Sequence, residues 1–264
     1  TQLDLAATGD LTNLHTLAAR DAVVLASGGT LANPGHVEAG VNPDDSRNAG
    51  GDLRLSGQNV RNSGSLLASR DLQADAGQTL DNRDGRLVAD RHATVAAARL
   101  DNDRGRLTAA ERLTLAAGHI TNAAGRIASG GPLAVRASGL IQQDGELYSQ
   151  RTLTLDLDGG DLNNDGGLIS APESLVLEHL GAVRNRGGEI SSVAGFMLAA
   201  ARLDNAQGRV LSGAGLVLRL DGLLGNAHGL IRADGLELAA ARLDNAGGTL
   251  ASDGALGIRL AARD

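Results

Sequence analysis

Residues 99–118 read RLDNDRGRLTAAERLTLAAG. Leu100 and Asn102 share a parity, Gly105 intervenes, and Leu107 with Ala109 and then Leu113 with Leu115 restore the alternation. Such short period-2 segments, cut by turn formers, predict strands, because Gly and Asn interrupt them too often for a helix. The unit L-x-N-x-x-G-x-L returns along the chain with its first apolar position at Val60, Leu80, Leu100, Ile120, Leu140, Leu162, Val183, Leu203, Leu224 and Leu243, in steps of 19 to 22. A coil of three short strands that returns to its start about twenty residues later lays each strand beside its equivalent. That predicts an all-β parallel β-helix of about 12 coils with about 20 residues per coil. Two weaker copies, Leu11-Thr12-Asn13 and Leu31-Ala32-Asn33, complete the series.

Residues one coil apart would lie about 4.8 Å from each other, so like sits on like. The asparagines Asn62, Asn82, Asn102, Asn122, Asn164, Asn185, Asn205, Asn226 and Asn245, with Gln142 in the same column, form a structural ladder. Each amide can donate to one neighbour and accept from the other. A second column reads Ser65, Gly85, Gly105, Gly125, Gly145, Gly167, Gly188, Gly208, Gly229 and Gly248. It marks a corner with positive φ or with no room for a Cβ. The core wall is Leu67, Leu87, Leu107, Ile127, Leu147, Ile169, Ile190, Val210, Ile231 and Leu250, faced by pairs such as Leu113/Leu115 and Leu216/Leu218.

Composition agrees with a narrow core. One Phe, one Tyr and no Trp leave aliphatics to fill it, and 37 glycines supply the corners. The chain has no Cys, which excludes disulfides and thiolate metal sites, and no Lys, which excludes a P-loop. Its net charge of −7 is spread without long runs and argues against nucleic acid as a partner. No stretch of about eighteen apolar residues or basic-then-apolar leader is present, so no membrane insertion is expected. Residues 1–264 read as a single β-helix domain, with 38–52 as a surface loop insertion rich in turn formers.

The AARLDN phrases at Ala97 to Asn102, Ala200 to Asn205 and Ala240 to Asn245, each followed by a Gly, resemble the haemagglutinin repeats of filamentous haemagglutinins and of CdiA-like contact-dependent growth inhibition exoproteins. The resemblance covers nearly the whole chain. It implies a right-handed coil and an internal fragment of a larger exoprotein. It also implies export through an outer-membrane two-partner secretion transporter, and a secreted product at the bacterial cell surface. The family's secretion domain and C-terminal toxin are not recognisable in these residues.

Chemistry has to be sought where the repeat departs from itself. The six histidines lie at least 21 residues apart, no cysteine nucleophile exists, and no G-x-S-x-G occurs. The strongest anomaly is the 22-residue step carrying Asp156, Asp158, Asp161 and Asp165, a weak candidate Ca²⁺ site because clustered carboxylates supply oxygen ligands. A bulged acidic turn is the plainer reading. Arg86, Arg106 and Arg126 share a column and read as a solvated face. No catalytic residue and no cofactor is expected, and the chain is not read as an enzyme. The expected function is a structural shaft segment that projects an adhesive or toxin-carrying region toward a target cell. The alternative is an adhesin segment binding a receptor or glycan directly, and a polysaccharide-cleaving β-helix enzyme ranks third.

Overall fold

A computed structural model describes residues 1–261, which fall into two compact units that divide between Gly131 and Pro132. Each is a right-handed parallel β-helix, and no helix occurs among the described residues.

In the first unit the long face is built from Gln2–Ala7 with Leu11–Thr12, Ala22–Ser27 with Thr30–Asn33, and then the unbroken strands Asp52–Asn62, Leu72–Asp81, His92–Asp101 and Arg112–Thr121. The opposite face is a row of four-residue strands: Thr16–Ala19, His36–Ala39, Ser65–Ala68, Arg86–Ala89, Arg106–Ala109 and Arg126–Ser129. Neighbouring coils pair parallel and in register, so that Leu87 faces Leu107 and Leu107 faces Ile127. Strand alternation sends these side chains inward, where Leu80, Leu87, Leu100, Leu107, Leu113 and Ile120 are almost fully buried. Each such burial contributes roughly 1.5–3 kcal/mol relative to exposure, which only a stacked neighbour can provide.

The second unit repeats this plan. Its first two coils have a divided long face, Leu133–Arg136 with Leu140–Ile141 and Thr152–Asp156 with Leu162–Asn163. Continuous strands follow at Ser174–Arg184, Phe196–Asp204, Gly215–Gly225 and Gly235–Asp244, and then Leu256–Leu260. The short face runs Glu146–Ser149, Leu168–Ala171, Glu189–Ser192, Arg209–Ser212, Leu230–Ala233 and Thr249–Ser252. Twelve short-face strands among the described residues count twelve coils, and Leu256–Leu260 opens another.

Two details of the sequence alignment are corrected by the register. Ser65 faces Arg86 and Leu66 faces Leu87, so Leu66 is the core residue and Leu67 is half-buried on the outer side. The glycine slot is filled by Gly64, whose carbonyl accepts from Arg86 N as that of Gly85 does from Arg106 N. The turn after Asn62 is one residue shorter than the later ones, and one residue reverses strand parity.

The glycine column is a matter of space, not of φ. Positive φ falls one residue earlier, on Asp84 (58°), Arg104 (54°), Ala124 (51°), Asp144 (52°), Gln207 (58°) and His228 (54°). The following glycine lies against the asparagine turn of the preceding coil. A Cβ on Gly105 would fall on Asn82 O and within 2.7 Å of Asn102 Oδ1. Ala124 is exposed, so Ala124→Gly removes left-handed strain without losing packing. We expect urea melts to show it stabilised by about 0.5–1 kcal/mol.

The insertion is a hydrogen-bonded hairpin between Ala39 and Asp52. Val41 bridges Arg47, Asn48 Nδ2 donates to Arg20 O (3.0 Å), and Arg47 reaches both Glu38 (2.6 Å) and Asp90 (3.2 Å).

Candidate functional site

The recurring triplet Leu-Asp-Asn divides its labour among its three side chains. Leu100 fills the core, and Asp101 lies outside, where its Oδ1 accepts from Asp103 N (3.1 Å) and holds the turn. Asp81, Asp204 and Asp244 do the same for Arg83 N, Ala206 N and Ala246 N. Asn102 points into the turn and is fully buried.

In the first unit each amide donates from Nδ2 to the Oδ1 of the next coil: Asn13 to Asn33 (2.8 Å), Asn33 to Asn62 (2.8 Å), Asn62 to Asn82 (2.7 Å), Asn82 to Asn102 (2.6 Å) and Asn102 to Asn122 (2.6 Å). In the second unit the row runs from Asn164 through Asn185, Asn205 and Asn226 to Asn245, each step 2.7 Å. The Nδ2 group also reaches backbone carbonyls, as Asn185 does to Gly188 (3.2 Å) and Arg209 (3.1 Å). Asn13 and Asn33, outside the column drawn from the sequence, are marked by their own Leu-x-Asn phrases.

Of the four acidic residues considered for calcium, Asp156, Asp161 and Asp165 take separate side-chain or backbone partners in the next coil. Asp161 Oδ1 accepts from Ala182 N (2.7 Å). Asp165 accepts from Arg186 N (3.0 Å) and pairs with Arg184 (2.6 Å). Asp156 Oδ1 accepts from Asp158 N (3.1 Å) and lies 2.9 Å from His179 Nδ1, while Asp158 itself sits at φ 50°. The donor atoms that converge belong instead to Asp156, Glu178 and His179, all within 4.8 Å of one another. Sequence spacing hides this group, because it depends on an irregularity in Ser174–Arg184. The register shifts between Leu177 and Leu180, and His179 takes φ 48°.

In that group the amide of Asp158, and then His179, hold the Asp156 carboxyl below the usual carboxylate range, while Asp156 raises the His179 imidazole above its ordinary value. A raised folded-state pKa means that the pair's contribution to stability is complete below the unfolded imidazole pKa and is lost as pH rises through the folded one. His179 is exposed, so the effect belongs to titration more than to stability. We expect an NMR titration of His179 to show a midpoint above that of an ordinary histidine, and Asp156→Asn to bring it down. Equal midpoints in the two proteins would show that the pair does not form.

Many of the remaining charges form outward ion pairs between coils, such as Arg91–Asp71 (2.5 Å), Arg104–Asp84 (2.8 Å) and Arg186–Asp204 (2.5 Å). The hydrogen-bonding guanidinium lowers the carboxyl of Asp71 and of Asp84. Arg86, Arg106 and Arg126 stand in one register row on the first unit's short face.

The family model for the haemagglutinin repeat matches residues 2–122 and 109–259. The chain belongs to the haemagglutinin repeat family. No curated protein and no solved structure matches it. Haemagglutinin repeats here thus correspond to coils whose recurrent letters serve the core, the turn and the ladder.

Proposed function

We propose that this haemagglutinin-repeat chain is a shaft segment of a secreted bacterial surface filament, which projects an adhesive or toxin-carrying region toward a target cell. The observation that carries this reading is the buried amide row. An interior whose polar groups are satisfied by the next identical coil can be extended by adding coils. Export through an outer-membrane two-partner secretion transporter suits such a chain. Each coil gains its stability from the one already folded, so folding can proceed stepwise as residues emerge. Family membership supports a secreted surface location and a structural or adhesive role over an enzymatic one.

A second reading, direct adhesion to a receptor or glycan, is favoured by one feature, the ordered hairpin between Ala39 and Asp52 held by Arg47. Two in-frame changes in the parent exoprotein separate the readings. Removing residues 206–226 deletes one ladder period, from Asn205 to Asn226, and keeps the register. Replacing residues 40–51 by a short turn deletes the hairpin. A shaft segment tolerates both changes, with target-cell binding by the bacteria retained. Loss of binding on hairpin removal alone would make this chain an adhesin.

A further inference from the structure

The second unit contains one level at which the ladder is not closed. Asn164 is fully buried, and its Nδ2 is committed to Asn185 Oδ1 (2.7 Å), Gly167 O (3.2 Å) and Glu189 O (3.2 Å). Its Oδ1 has no hydrogen-bond partner. Those committed donors fix the amide's orientation, so a flip cannot repair the vacancy. The residue at the equivalent position one coil earlier is Gln142, whose Nε2 donates to Leu168 O (3.1 Å). One extra methylene carries the donor to the carbonyl that the Asn amides also use. In Asn185, Asn205, Asn226 and Asn245 the same Oδ1 accepts from the coil before it.

The strands at this level are also the shortest in the unit. The long face is divided in both flanking coils, into Leu133–Arg136 and Leu140–Ile141 and into Thr152–Asp156 and Leu162–Asn163, whereas the next coil carries the continuous Ser174–Arg184. Beyond the left-handed residue that every such turn of this unit carries, the second of these coils has two more, Asp158 (50°) and Gly159 (83°). A buried acceptor without a partner, fewer ladder bonds and strained turns each lower the cost of local opening.

We propose that the level between the Gln142 coil and the Asn164 coil is a built-in opening point of the solenoid, where the stack parts before it parts between any coils of the Asn164–Asn245 row. Opening there frees the edges of Thr152–Asp156 and Leu162–Asn163 and leaves the closed ladder beyond Asn164 intact.

Native-state hydrogen exchange on the whole chain tests it. The amides that bridge this level are Ala137 N to Asp156 O, Leu140 N to Asp161 O, Gln142 N to Asn163 O and Leu168 N to Gly145 O. They should exchange about tenfold faster than Asn205 N and Leu230 N, which bridge the level between the Asn205 and Asn226 coils. Gln142→Asn supplies the missing donor and should remove most of that difference. Asn205→Gln should create a second opening level, with Leu230 N accelerated. Equal exchange at the two levels in the parent chain overturns the proposal, as does a difference that survives Gln142→Asn. If Gln142→Asn does not fold, Asn205→Gln decides alone: acceleration at Leu230 N supports the proposal and an unchanged rate overturns it.

Discussion

Gly208→Ala will destabilise the second unit by about 3 kcal/mol or more. The new Cβ would fall on Asn185 O, and it would stand 2.6 Å from Asn205 Oδ1 and 3.0 Å from Asn185 Nδ2. None of these atoms is the free end of a flexible side chain. One is backbone and two are rungs of the amide row, so relief requires parting the coils. Gly215→Ala is the control, because a Cβ there meets nothing within 4 Å and the backbone is not left-handed. That substitution should be neutral or slightly stabilising. The comparison is made by denaturant melts with exchange at Leu230 N as a local reading, since solenoid coils need not unfold together. A Gly208→Ala protein as stable as the parent would show that the coils stand further apart than described.

Asn205→Ala should cost about 3 kcal/mol. Its removal strips Asn226 Oδ1 of its donor inside a fully buried turn, and leaves Gly208 O without the Asn205 amide. Asn185 Nδ2 loses an acceptor as well, though it keeps Gly188 O and Arg209 O. An unsatisfied buried group costs about 1–3 kcal/mol, and a small cavity adds to that. The outward Arg106→Ala should stay within about 0.5 kcal/mol. Equal midpoints for Asn205→Ala and Arg106→Ala would mean that the row contributes nothing to stability and is kept for some other reason.

Much of the fold was legible because a solenoid turns sequence period into spatial neighbourhood. Leu80, Leu100 and Ile120 are twenty residues apart and pair directly across coils. The candidate site was less legible. Asp156, Asp158, Asp161 and Asp165 look like a cluster when the chain is read linearly, but Asp156, Asp161 and Asp165 each take a partner at a different point along the next coil, at His179, Ala182 N and Arg184. The two residues that join Asp156 come from 22 and 23 positions away, through an irregular strand that no spacing rule announces.

What this sequence determined by itself was the period, the strand parity and the identity of the stacked columns. Those follow from side-chain alternation and from the need of each coil to bury its apolar wall and satisfy its amides on a like neighbour. Tertiary structure alone decided which turn residue carries positive φ, that Gly64 and Leu66 replace Ser65 and Leu67 in their columns, and that Asn164 Oδ1 lacks a donor where Gln142 precedes it. Each of these turns on one residue of turn length or one methylene of reach. At a coil spacing of about 4.8 Å, such a difference is enough to make or lose a hydrogen bond.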